Sequence, residues 1–340
     1  MRILVLGGTH HVGRAVVESA LARGDQVTTL SRGASGPPAL GASPRFADRT
    51  DPVSLAAALG DDEWDAVVDT WSLAPRVVLD SARLLAGRAG HYTYISSRSV
   101  HVWPIPVGAG ESAPVVDADP ADDDASDYSA AKRGGELAAQ EGFGGPVLLP
   151  RPGLILGPYE RVGRLPFWLR RIRSGGRVPC PGPAGRPLQY IDARDLAEWV
   201  LAAAARGLTG EFNTVSRPGH TTMRELLEQC RTVTGSDAEL VWVNPEAVAA
   251  AGVAPWTELP IWVPPTGEYA GLHEADVSAA YSAGLRCRPV AETVADTWAW
   301  LLAEGLPAPA HPGRAAGGMD AAAEQRLLEQ AGDPQGSPGR

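Results

Sequence analysis

Lysine is almost missing from this chain. Lysine and arginine together number 30 in 340 residues, and every one except Lys132 is an arginine. Cysteine is scarce as well. Cys180, Cys230 and Cys287 are odd in number and far apart, so neither a disulfide framework nor a metal-ligand spacing can be read from them, and a reducing cytoplasm is the expected setting. Long apolar runs are absent, which excludes a conventional membrane-spanning helix, and the apolar run in the opening MRILVLGGTH is too short for a secretory leader. Positive charge is in deficit. The net charge of −10 argues against a nucleic-acid partner and against an anionic membrane surface. The final GDPQGSPGR has no apolar anchor and reads as a frayed tail.

What is present is an ordinary globular composition, 44% apolar and 21% charged, in a chain longer than one hydrophobic core usually serves. Over the first 157 residues short apolar runs alternate with helical stretches. RILVLG (2–7), QVTTL (26–30), RFAD (45–48), DAVVDT (65–70), HYTYISS (91–97) and PVLLPR (146–151) read as strands. A helical pattern from Val12 to Arg23 stops at Gly24. This rhythm predicts the α/β class, a doubly wound parallel Rossmann sheet.

Beyond residue 157 prolines and tryptophans become frequent. LQYIDARDLAEWVLAAA (188–204) reads as a strand entering a helix, GEFNTV (210–215) as a short strand, and TTMRELLEQC (221–230) opens with a capping box from Thr222 to Glu225. The expected division is a dinucleotide-binding Rossmann domain over 1–157 plus about 186–217. A smaller, partly interleaved C-terminal substrate-binding lid covers 158–185 plus 218–306, and a helix and flexible tail cover 307–340.

LGGTHHVG (6–13) joins the first strand to the first helix. Glycines there let backbone N–H groups approach a pyrophosphate at a helix N-terminus. In a Gly-x-x-Gly-x-x-Gly pattern Gly7 and Gly13 are in place and His10 occupies the middle position, with Thr9 and Val12 as further cofactor contacts. The His10 side chain either tilts away from the phosphates or touches them, and both remain open. The second strand ends in Ser31 and Arg32 without the acid that would accept from the ribose 2′-hydroxyl of NAD, so NADP(H) is favoured and NAD(H) is retained as the other option. Asp48 after the third strand is placed at the adenine edge, and Thr70 and Trp71 after the fourth border the cofactor trough.

DYSAAKRGGE (127–136) contains the lone lysine. If Tyr128 begins a helix, Lys132 stands one turn on, on the same face. A tyrosine with a reference pKa near 10 is a poor base at neutral pH, and a nearby ammonium favours its phenolate. A flexible ammonium also reaches ribose hydroxyls where a planar guanidinium fits badly. YISSRSVH (94–101) puts Ser96 and Ser97 at the end of a buried strand, where a hydroxyl could hold the substrate oxygen.

GGTHHVG, YISSRSVH, YSAAK, RPGLILGP (151–158) and QYIDARDLA (189–197) together resemble the extended or atypical short-chain dehydrogenase/reductases, in their NAD-dependent epimerase/dehydratase branch, over about residues 1–305. The resemblance implies Ser97, Tyr128 and Lys132 as the catalytic set, a C-terminal substrate domain, and a homodimer through a helix pair. His101 stands where the common Ser-Val-Tyr ending has tyrosine.

Three functions compete. The leading one is an NADP(H)-dependent reductase or dehydrogenase acting on a carbonyl/alcohol pair of a small molecule. The alternative is a redox-neutral nucleotide-sugar epimerase or dehydratase that retains NAD, and the third is a non-catalytic dinucleotide-sensing or RNA-binding protein. Trp71, His101 and Trp103 are candidate substrate contacts. Six arginines in RVGRLPFWLRRIRSGGRVP (161–179) are either a clamp for a substrate diphosphate or a solvated or intersubunit face. The acidic run 117–127 reads as a solvated loop, and no metal site is expected.

Overall fold

A computed structural model describes residues 1–34, 36–306 and 318–331. The expected tail lies in part outside these residues, at 307–317 and 332–340. The chain divides into two compact units. The first comprises Met1–Ile155, Ile191–Ser216 and Ala275–Cys287, and the second Leu156–Tyr190, Arg217–Glu274 and the chain from Arg288 onward.

The first unit is built on seven parallel strands: β1 (Arg2–Leu6), β2 (Gln26–Ser31), β3 (Ser43–Phe46), β4 (Ala66–Asp69), β5 (Tyr92–Tyr94), β6 (Val147–Pro152) and β7 (Gly210–Thr214). Their order is β7-β6-β5-β4-β1-β2-β3. The order reverses between β1 and β4, the point where an open α/β sheet forms a crevice at the carboxyl ends of its strands. The expected doubly wound parallel sheet is therefore what the chain forms. The strands read as apolar runs because both faces are covered.

On one face α1 (His11–Ala22) and α5 (Ala193–Ala205) pack a core that includes Val16, Val17, Ala20, Leu196 and Val200. On the other, α2 (Pro52–Leu59), α3 (Pro75–Leu85) and α4 (Tyr128–Phe143) cover Leu4, Leu6, Val67, Tyr92 and Leu149. Helix α4 lies close to its neighbours through glycines. A Cβ on Gly134 would stand 2.8 Å from the Asp119 carbonyl oxygen, and one on Gly135 would collide with the Tyr94 hydroxyl.

Two local expectations need correction. Strand three is Ser43–Phe46 rather than 45–48, because the chain leaves the sheet before Asp48 and turns on that side chain, which accepts from the Thr50 amide at 2.9 Å. Residues 275–287, placed with the lid in the sequence, belong to the first unit. There α6 (Ser278–Ser282) brings Ala280 and Leu285 into the α1–α5 core, and the Trp199 indole donates to Ala283 O at 3.2 Å.

The second unit holds a parallel pair, Arg177–Pro181 with Glu239–Val243, and the helices Arg164–Arg173, Met223–Thr234, Val290–Ala303 and Ala321–Gln330. The capping box at Thr222 and Glu225 forms in both directions. Buried tryptophans tie its loops, Trp168 donating to Pro260 O and Trp262 to Gly182 O, each at 2.9 Å. Among the described residues no helix is long and apolar enough to cross a membrane.

Candidate active site

The first turn is made of glycines because two backbones converge there. Gly7 and Gly8 have φ of 126° and 109°, values that side-chain-bearing residues rarely adopt. A Cβ on Gly7 would run into Thr70 Oγ1, which donates to Leu6 O at 3.0 Å. Gly8, which the sequence pattern passed over, would press a Cβ against Thr29 and Val17, and a Cβ on Gly13 would stand 2.7 Å from the Gly8 nitrogen. His10 has φ −126°, an ordinary extended value at the N-cap of α1. Its position needs no glycine, so the departure from the glycine pattern is free of strain. Thr9 and Val12 flank it on the same turn, both half-buried.

At the end of β2, Arg32 is exposed and Ser31 Oγ accepts from the Gly33 amide at 3.3 Å. Asp48 is exposed too. The Thr50 amide and hydroxyl hold its carboxyl below the usual range, with a smaller contribution from the charge of Arg32. The cation at the β2 end therefore has a carboxylate in its field.

Helix α4 starts at Tyr128 because Asp127 caps it, accepting from the Ser129 and Ala130 amides. The acidic run before it folds as local turns on Asp119, Asp122 and Asp124. One turn into α4, Lys132 is 3% exposed, and its ammonium donates to Trp71 O at 2.7 Å and Ile95 O at 2.8 Å. The same nitrogen lies 4.8 Å from the centroid of the Tyr94 ring. The cation thus stands at the carboxyl ends of β4 and β5, beside the strand reversal.

The two serines divide their work. Ser96 donates to Glu136 Oε1 at 2.7 Å, whereas Ser97 caps a short 3-10 turn (Arg98–Val100) and accepts from the Ser99 amide at 3.1 Å. That bond uses the oxygen of Ser97 and leaves its proton to donate. Glu136 also accepts from Arg151 at 2.7 and 2.9 Å and from Arg133 at 2.8 Å. Burial acts to raise its carboxyl, but these donors hold it below the usual range.

A second buried cluster, also unforeseen, lies at the end of β4. Arg49 donates to both oxygens of Asp69 at 2.7 Å, and the Tyr92 hydroxyl donates to Oδ2 at 2.6 Å. Asp69 is held low despite its burial, chiefly by Arg49, while burial and the Asp69 charge push Tyr92 well above its ordinary value. Arg49 gave no sequence signal among so many arginines. Glu136 did, because it continues the four-residue spacing of Tyr128 and Lys132 along α4.

The three candidate substrate contacts differ in burial. Trp71 is half-buried, its indole donates to Ala74 O at 3.0 Å with the Arg49 guanidinium 5.1 Å from its ring centroid, and its carbonyl accepts from Lys132. His101 has no exposed surface and its Nδ1 lies 3.3 Å from Ala113 O, which makes it an internal residue. Trp103 is half-buried just beyond the 3-10 turn.

The arginine-rich stretch is engaged within the second unit. Arg161 faces Glu304, Arg171 grips Glu324, and Arg177 faces Glu239. Arg164 and Arg173 lie over Trp256 and Trp298, and Arg170 lies in the field of Glu160. These arginines thus meet acids and rings of their own unit, where the sequence left a diphosphate clamp and a solvated or intersubunit face as alternatives. Arg186, 9% exposed and in the field of Glu274, has Nη2 a long 3.4 Å from Ala270 O and, like Arg49 and Arg177, one buried nitrogen with no hydrogen-bond partner among the described residues.

The family model described as "NAD dependent epimerase/dehydratase family" matches residues 3–215. A search of curated proteins returns no match. Among solved structures, the Bordetella bronchiseptica enzyme WbmH in complex with NAD+ is similar with a TM-score of 0.68 and 17% identity, covering 89% of this chain and 99% of that one. UDP-glucose 4-epimerase from Thermotoga maritima with UDP-glucose has a TM-score of 0.62 at 18% identity, covering 90% of this chain and 100% of that one. The Thermus thermophilus UDP-glucose 4-epimerase complex with NAD has 0.63 at 20%, covering 88% and 99%. At these identities the likeness is one of fold.

Proposed function

The chain belongs to the NAD dependent epimerase/dehydratase family, and on that premise we propose that it is a redox-neutral enzyme acting on a secondary alcohol of a nucleotide-linked sugar. The observation that carries this reading is the placement of Lys132, held by two strand-end carbonyls one turn after Tyr128 and beside the segment that bears Ser97.

A nicotinamide dinucleotide fits the first turn, where Gly7, Gly8 and Gly13 leave backbone surface that any Cβ would fill. When bound there it supplies the acceptor and donor of hydride. The amides of the Gly7–Gly13 turn and the N-terminus of α1 hold its pyrophosphate, with Thr9, His10 and Val12 along the turn. Ser31, Arg32 and Asp48 serve its adenosine end, and Thr70 lines the floor. Lys132 holds ribose hydroxyls and keeps a positive charge near Tyr128. Tyr128 takes the proton from the substrate hydroxyl as the alcohol becomes a carbonyl and later returns it, while Ser97 donates a hydrogen bond to that oxygen.

An NADP(H)-dependent reductase is the second reading, favoured by one observation: Arg32 at the end of β2 with no acid beside it in sequence. The carboxylate of Asp48 in the field of Arg32 weakens that argument. A cytoplasmic setting and a homodimer are part of the same proposal.

The test is to identify the nucleotide released from purified protein by denaturation and to titrate the emptied protein with NADH and NADPH by calorimetry. Retained NAD or a preference for NADH supports the redox-neutral enzyme. A clear NADPH preference replaces it with the reductase, and binding of neither rejects both.

A further inference from the structure

The ammonium of Lys132 has two carbonyl partners, and one residue holds both of them. Trp71 O and Ile95 O accept from the ammonium at 2.7 and 2.8 Å. The Trp71 amide donates to Asp69 Oδ1 at 2.9 Å, and the Ile95 amide donates to the Asp69 backbone carbonyl, also at 2.9 Å. Asp69 has no exposed surface. Its carboxylate is held in turn by Arg49 and by the Tyr92 hydroxyl, and Arg49 is held by Ser81 Oγ at 2.9 Å.

We infer that Asp69 is a positioning residue for Lys132, with Arg49 and Tyr92 fixing its carboxylate. The inference rests on the reading of Lys132 given above. Helix α4 fixes only the base of the lysine side chain. An ammonium on a flexible stem has no shape of its own to define a direction, so the acceptors it meets decide where it stands. Both acceptors here are peptide carbonyls at strand ends, and a peptide turns as a rigid plane. Each anchored amide lies in the peptide plane just before the acceptor carbonyl and is joined to it through a single Cα, so holding that plane fixes one side of the residue whose carbonyl meets the ammonium. A buried ion pair is weak evidence of a contribution to stability, since apolar residues of similar volume often serve as well. Its location fits placement, because Asp69 itself bonds the amides of both residues whose carbonyls accept from Lys132.

The lone lysine makes this testable, because lysine labelled with 13C at the ε carbon reports one side chain. The variants are Asp69→Asn, which removes the charge, and Tyr92→Phe, which keeps the ring and the ion pair but removes one donor. In folded variants, checked by circular dichroism, the Lys132 ε signal should move or split, and the affinity for NADH should fall by about tenfold or more. A signal unchanged from wild type in a folded variant, with only the melting temperature lowered, would overturn the inference. If Asp69→Asn does not fold, Tyr92→Phe decides by the same criterion. Wild-type protein that binds neither NADH nor NADPH defeats the functional reading alone, and the lysine signal still decides the placement.

Discussion

Gly13 faces the backbone of Gly8 so closely that a Cβ built on it would stand 2.7 Å from the Gly8 nitrogen and 3.1 Å from its Cα. Both atoms are backbone, so neither can swing aside. Gly13→Ala should push α1 away from the turn, lowering stability by about 1–3 kcal/mol and abolishing dinucleotide binding. His10→Gly, at a position with an extended φ, should retain it. Calorimetric titration of both variants with NADH checks the contrast.

Ser96 and Ser97 should separate by phenotype. Ser97→Ala removes the hydroxyl proposed to donate to the substrate oxygen and is expected to lower kcat about a hundredfold or more while the melting temperature holds. Ser96→Ala takes a donor from buried Glu136 and is expected to cost about 1–3 kcal/mol of stability. Paired thermal melts and turnover measurements would contradict this assignment if the two effects were exchanged.

Asp69 and Glu136 make the protein sensitive to acid. Each is held below its ordinary carboxylate value by buried partners, mainly Arg49 and Arg151, against the opposing effect of burial. Such a group stabilises the fold fully above its unfolded value of about 4, and loses that contribution as pH falls toward the lower folded value. The melting temperature should therefore drop as pH is lowered below about 5. Glu136→Gln should be less stable at neutral pH and show a shallower drop. Parallel slopes for wild type and variant would remove Glu136 from this account.

The parallel sheet was legible in the sequence because both its faces are buried. The central strands are apolar runs, unlike the edge strands β3 and β7, and each helix between strands has the period that covers one face. The candidate site's helix face was legible for a similar reason: Tyr128 and Lys132 follow a four-residue spacing that an α-helix turns to one side. Which turn positions require glycine was not legible, because spacing does not reveal φ: the strongly positive values fall on Gly7 and Gly8, and His10 is extended.

Other features needed the tertiary structure. Thirty Arg and Lys residues look alike in one dimension, yet Arg49 and Arg151 are buried against Asp69 and Glu136, Arg171 is spent on Glu324, and Arg32 stands exposed at the end of β2. Asp69 and Ile95 are 26 positions apart, and only the pairing of β4 with β5 sets their backbones side by side. The order of residues along the chain determined which secondary elements form and which side chains share a helix face, since those depend on local backbone geometry. Which charges are paired and where the single ammonium points depend on contacts between distant segments, and those arise only when the sheet closes.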